Sequence, residues 1–121
     1  MREIIFRGKD VYGNWLYGDL INLTDNIKQI CDHRNLAHAH GVNPETVGQY
    51  TGLTDRKGNR IYEGDIVKWD GTEISQIRYC DGVYRLCNAE GYYGVSVHNH
   101  YSYVEVIGNI HDNPELLKGG E

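Results

Sequence analysis

The side chains best suited to chemistry fall in a few places. Cys31, His33, His38 and His40 gather thiol and imidazole, the preferred ligands of zinc, in one short stretch. If that stretch is extended, His38 and His40 stand on one face, and His98-Asn99-His100 repeats the spacing and could add a ligand. The paired short spacings of metal sites are missing, however, so no metal or cofactor is assigned. Cys31, Cys80 and Cys87 have six histidines to draw on for a thiolate–imidazole pair. Nothing local singles out such a pair, and Cys80 and Cys87 lie in strand-like runs where cysteine serves as a small buried hydrophobe. Glu63-Gly64-Asp65 brings two carboxylates close enough to separate their pKa values for acid–base work. The structural reading is stronger: Gly64 allows a turn and Asp65 accepts hydrogen bonds from nearby backbone amides.

The remaining candidates are aromatic and basic. Tyr79, Tyr84, Tyr92, Tyr93, Tyr101 and Tyr103, with Arg78 and Arg85 between them, could form a stacking platform for single-stranded nucleic acid. Tyrosine is equally a strand and interface residue. Arg56, Lys57, Arg60 and Lys68 alternate with Asp55, Glu63 and Asp65, which leaves no phosphate track. The net charge of −5 points away from phosphate binding as well. No catalytic, cofactor-binding or metal-ligating residue is therefore assigned, and the chain is not expected to be an enzyme. A small barrel that binds nucleic acid stands as the alternative to a protein-interaction module.

Strands must position these groups. Ile4-Ile5-Phe6-Arg7 and Trp15 to Ile21 are β-branched or aromatic runs flanking a turn at Lys9-Asp10 and Gly13-Asn14, which predicts an N-terminal hairpin. The segment 22–43 has no sustained period and is left open between an excursion and a short helix. Val47 to Leu53 leads into a turn over Thr54 to Arg60 containing Gly58, and Ile61 to Trp69 into a strand closed by Asp70-Gly71. Two alternating runs, Ile74 to Cys80 and Val83 to Cys87, meet at Asp81-Gly82, the strongest hairpin signal in the chain. Tyr101 to Ile110 supplies a last strand. Asn113-Pro114 then begins a short helical turn with Asn113 as its cap, and Gly119-Gly120 is expected to fray. Closely spaced short strands of this kind predict an all-β fold, a small closed or nearly closed barrel.

Composition sets the bounds. A chain of 121 residues with 40% hydrophobic and 24% charged content can bury one ordinary core without a staple. The apolar run at Met1 to Phe6 is too short for a secretory signal, and no run approaches the ~20 apolar residues of a membrane helix. The expected location is the cytoplasm. Three cysteines without a CxxC fit reduced thiols, so the sequon at Asn22-Leu23-Thr24 is not expected to be used.

Five blocks in order carry a resemblance. They are Arg2-Glu3-Ile4 with Phe6-Arg7, Trp15 with Tyr17 to Ile21, Pro44 to Leu53, Ile61 to Val67, and Val106 to Ile110 followed by Asn113 to Leu117. Together they resemble the YopX-like proteins of phages and prophages. The resemblance implies an SH3-type small barrel over 44–113 carrying the Glu63-Gly64-Asp65 block, within a single protein of residues 1–121. It implies an N-terminal hairpin and variable excursion over 1–43 packed against that barrel. A bacterial host cell, homo-oligomerisation and no catalytic residues are also implied. With the missing catalytic motifs and the tyrosine-rich second half, the expected function is a non-enzymatic, self-associating interaction module, with a host or phage protein as a further partner.

Overall fold

The structure is a computed structural model that describes residues 4–32, 35–69, 73–88 and 93–118, with the side chains of 35–37, 93 and 118 excepted. Arg2, Glu3, His33, Asp70, Gly71, Tyr92, Gly119 and Gly120, on which some of the expectations fall, lie outside the described residues. Nearly all regular structure is antiparallel β, as expected. The chain divides into two compact units, Met1–Tyr50 and Thr51–Glu121.

In the first unit the expected N-terminal hairpin joins β1 (Phe6–Lys9) to β2 (Trp15–Thr24), with Lys9 opposite Trp15. Asp10 organises the turn between them. Its backbone N–H donates to Asn14 O, and its Oδ1 accepts from the N–H groups of Tyr12 and Asn14, each at 2.9 Å. The segment left open by the sequence contains no helix among the described residues. It continues the meander as β3 (Ile27–Asp32) and β4 (Asn35–Val42), giving the order β4-β3-β2-β1. The start of β5 (Gly48–Thr54) then pairs with β1 on the other side.

These strands curl strongly. Asn43 N–H donates to Lys9 O at 2.8 Å, which returns the end of β4 to the end of β1. At Gly18 the backbone of β3 comes close: a Cβ there would collide with Cys31 O, so no side chain fits without moving backbone. Arg7, buried to 6% exposure, lays its guanidinium 4.7 Å from the centre of the Trp15 ring. That contact keeps its charge against a π face.

In the second unit β5 ends beside β6 (Arg60–Tyr62), where Thr51 Oγ1 donates to Ile61 O at 2.8 Å. The remaining strands are β7 (Asp65–Trp69), β8 (Glu73–Cys80), β9 (Val83–Cys87), β10 (Tyr93–Ser96) and β11 (Val104–Asn109). They form one sheet in the order β10-β9-β8-β7-β11. The hairpin at Asp81-Gly82 has positive φ at both central residues, 53° and 80°, and pairs Cys80 with Val83. That is the primed turn whose twist matches the flanking strands.

The closed SH3-type barrel expected over 44–113 is replaced by an open sheet with β10 and β11 at its edges among the described residues. One face of that sheet packs Val67, Ile77, Leu86 and Val104 with Ile61 of β6 and Val97 of the short helix α1 (Val97–His100). Closely spaced strands with Gly and Asp turns serve an open twisted sheet as well as a barrel, because closure depends on pairing remote in sequence. The expected terminal turn forms as a 3-10 helix over Pro114–Lys118. Asn113 stands before Pro114 as expected, its carbonyl accepting from Leu116 N–H at 3.0 Å, and its side chain accepts from Asn109 N–H at 3.2 Å and braces the end of β11.

Candidate functional site

The groups singled out for metal chemistry do not converge. His38 and His40 stand exposed on β4, on one face as an extended strand requires, while Cys31 is buried on β3. His98 and His100 lie on α1, not on an extended segment, so their two-residue spacing turns them to different sides. His98 is exposed. His100 turns inward, with Nδ1 3.0 Å from Ser96 O, an edge contact of 6.0 Å to Trp69, and Tyr103 on its other flank at 6.4 Å. Among the described residues no three His, Cys, Asp or Glu side chains gather around one point.

The aromatic platform also divides. Tyr79 and Tyr84 face each other across the β8–β9 hairpin, ring centres 4.9 Å apart and tilted 64°, and Arg78 faces Arg85 in the next register position. Adjacent register positions point to opposite faces of a sheet, so the tyrosines and the arginines do not interleave. Arg85 also donates to Gly94 O. Farther along the unit, Arg56 and Lys57 both reach Glu105, at 2.9 and 3.0 Å, and hold its carboxyl below the usual value. Burial pushes the Cys87 thiol up, which disfavours the thiolate a nucleophile needs.

Glu63-Gly64-Asp65 behaves as the structural reading expects. Gly64 has φ 93°, and Asp65, 2% exposed, accepts from Tyr62 N–H at 2.7 Å. The carboxylate that organises the second unit is Asp55, which the sequence reading passed over as one charge among several. Its Oδ1 accepts from Lys57 N–H at 2.9 Å and Asn59 N–H at 2.8 Å, closing the β5–β6 turn. Its Oδ2 accepts from Val106 N–H at 2.9 Å and from Asn59 Nδ2 at 3.2 Å. Burial alone would raise this carboxyl, but the amides of Val106, Asn59 and Lys57 outweigh it and hold the pKa below the usual value. A signal was present: Asp10-Val11-Tyr12-Gly13-Asn14 and Asp55-Arg56-Lys57-Gly58-Asn59 share Asp-x-x-Gly-Asn and build the same set of turn hydrogen bonds.

What the surface offers is apolar. At the tip of the first hairpin Val11 is 88% and Tyr12 85% exposed, and Tyr17, Leu23 and Ile27 of the same unit are also exposed. An open groove of about 540 Å³ runs beside that tip, between Asp10-Val11, Asn26 to Lys28, and Gly41 to Asn43. The second unit exposes Tyr79, Val95, Tyr101 and Tyr103. Among the described residues no helix is long and apolar enough to cross a membrane.

Comparison with known proteins gives a consistent family. The family model described as YopX protein matches residues 5–118. A curated relative, the SPbeta prophage-derived uncharacterized protein YopX of Bacillus subtilis (strain 168), is 31% identical over 72 residues. That match covers 52% of this chain and 54% of the relative, so the chain spans about half the length of the curated relative it matches. The crystal structure of protein EF1440 from Enterococcus faecalis superposes with a TM-score of 0.58 at 24% identity, covering 97% of this chain and 99% of that one. The likeness shows a shared fold.

Proposed function

The chain belongs to the YopX protein family, and from that premise we propose that it is a prophage-encoded accessory protein that works by binding protein, first of all copies of itself, and not by catalysis. The observation that supports this reading is the exposed apolar and tyrosine surface, with Val11 and Tyr12 projecting from a hairpin tip beside an open groove. Adjacent apolar side chains that bury nothing of their own fold are the common mark of a protein contact. Tyrosine is enriched at such contacts.

The relative from the Bacillus subtilis prophage supports a phage or prophage origin, and in this reading the protein acts in the cytoplasm of a bacterial host. A host or phage protein is the expected further partner. The cations speak against the nucleic-acid alternative, since Arg56 and Lys57 share one carboxylate and Arg7 lies buried on an indole.

Sedimentation velocity of the untagged protein over a hundredfold concentration range tests the reading. A sedimentation coefficient that rises with concentration to a plateau above the monomer value is expected. A monomer at every concentration would overturn it.

A further inference from the structure

The turns built on Asp10 and Asp55 belong to longer matching stretches, and the second copy shows what the first is made to hold. Asp10 to Ile21 and Asp55 to Val67 share Asp-x-x-Gly-Asn-x, then Leu or Ile and a Tyr, and then, past Glu63 in the second copy, Gly-Asp followed by two aliphatic residues. Each copy sets the Asp-centred turn between two strands, β1 and β2 around Asp10 and β5 and β6 around Asp55.

In the second copy β11 covers the turn through successive residues. Arg56 N–H donates to Val104 O at 3.0 Å, and Val106 N–H donates to Asp55 Oδ2 at 2.9 Å. Between them the Glu105 carboxylate takes the Arg56 and Lys57 side chains at 2.9 and 3.0 Å. One residue of an extended strand thus meets the side chains of the turn, while the backbone of its neighbours makes the hydrogen bonds.

In the first copy the same backbone and carboxylate positions are open. Among the described residues nothing accepts from Val11 N–H, and Asp10 takes the backbone N–H groups of Tyr12 and Asn14 on Oδ1 and none on Oδ2. Asp10 and Val11, the counterparts of the two residues that bond the backbone of β11, line the open groove of about 540 Å³, with Ile27 and Val42 also on its walls. Where the second copy has Arg56 and Lys57, the first has Val11 and Tyr12, both exposed.

We propose that this groove takes an extended segment of another protein, held as β11 is held at Asp55: a backbone carbonyl on Val11 N–H, a backbone N–H on Asp10 Oδ2, and between them an apolar or aromatic side chain against Val11 and Tyr12. The proposal rests on the protein-binding reading above and names the surface and the class of partner. Strand addition of this kind draws affinity from main-chain bonds and selectivity from alternate side chains. An acidic residue in the central place is disfavoured, because Val11 and Tyr12 offer its charge no partner. β11, the segment of this chain with the required form, is already held at Asp55, so the occupant comes from a different protein.

The probe is a fluorescent synthetic peptide with the sequence Tyr103 to Gly108 carrying Glu105→Phe, extended by Gly-Ser at both ends and read by anisotropy against the full chain. Saturable binding is expected, and it should weaken about tenfold or more on N-methylation at the position of Val106, on Asp10→Asn in the protein, and on return of Glu105 to the peptide. Val11→Arg/Tyr12→Lys gives the first turn the side chains of the second and should reverse the preference in favour of the Glu105 peptide, with circular dichroism melts confirming that each variant is folded. No saturable binding up to about 1 mM, or binding indifferent to Asp10→Asn and to Val11→Arg/Tyr12→Lys, would overturn the proposal. An oligomer in sedimentation that binds no peptide would overturn this proposal alone, whereas a monomer that binds the peptide would overturn self-association and support this site. An oligomer that the peptide dissociates would make a second copy the occupant and overturn the choice of a different protein.

Discussion

Replacing Asp55 by Asn tests whether one buried carboxylate ties the β5–β6 turn to β11. Asp55 is 5% exposed, and its four acceptances divide between the local turn and Val106 N–H, 51 residues away in sequence. The Asn oxygen can still serve Lys57 and Asn59, so the turn keeps its two backbone bonds. Its NH2, however, meets the Val106 N–H donor to donor. A donor left without an acceptor away from water costs about 1–3 kcal/mol, and loss of a charge-assisted bond lies at the upper end of that range. About 2 kcal/mol is expected. That is a large fraction of a total stability on the order of 5–15 kcal/mol, and for a chain of this size it lowers the melting temperature by roughly 6–10 °C.

Asp10→Asn is the control, because Asp10 builds the same turn with a less buried carboxylate, and its melting temperature should fall clearly less. The pH dependence has a definite sign. A carboxyl whose folded pKa is depressed contributes stability that is full above its unfolded value, about pH 3.9, and is lost as pH falls through the folded value. The difference between wild type and Asp55→Asn, followed by circular dichroism melts, should therefore be constant from pH 7 to about pH 5 and shrink below pH 4. Equal melting shifts for the two variants, or a difference unchanged in acid, would refute the argument that the bond to Val106 stabilises the fold.

Other expectations follow from the same packing. Gly18→Ala places a methyl against Cys31 O and should lower stability by about 3 kcal/mol or more in chemical denaturation, since backbone on both strands must move. Glu105→Gln should leave the melting temperature nearly unchanged, because the Arg56 and Lys57 side chains it pairs with are 53% and 60% exposed and solvent already screens them. On brief treatment with iodoacetamide at pH 7.5, Cys80 should be alkylated before Cys31 and Cys87, which are buried, as read by peptide mapping. Preferential labelling of Cys87 would contradict both its burial and the raised pKa of its thiol.

Local signals carried much of the fold. Asp81-Gly82 specified its hairpin because both central residues tolerate positive φ, and the Lys9 to Asn14 turn was legible from Asp, Gly and Asn at their required positions. Segment 22–43 gave no periodic signal, because strands in a small curled sheet are only partly buried and alternate weakly: β2 ends in three exposed residues, and β4 exposes both histidines. That the second sheet stays open and does not close into a barrel was not legible, since closure depends on pairings between strands remote in sequence. The role of Asp55 was hidden for the same reason. Its type and spacing announce a turn, but the contact that distinguishes it from Asp10 is with Val106, and nothing in either local sequence marks that pairing. The candidate chemistry failed in a related way. Two-residue spacing aligns His38 and His40 on a strand but separates His98 and His100 on a helix, so the same pattern had opposite meanings.

The most direct test of the central claim is native mass spectrometry of the untagged protein at pH 8.0, since one spectrum counts subunits and weighs anything retained with them. A bare oligomer is the predicted result. A monomer at micromolar concentration, or a single chain carrying a bound small molecule or metal, would contradict it.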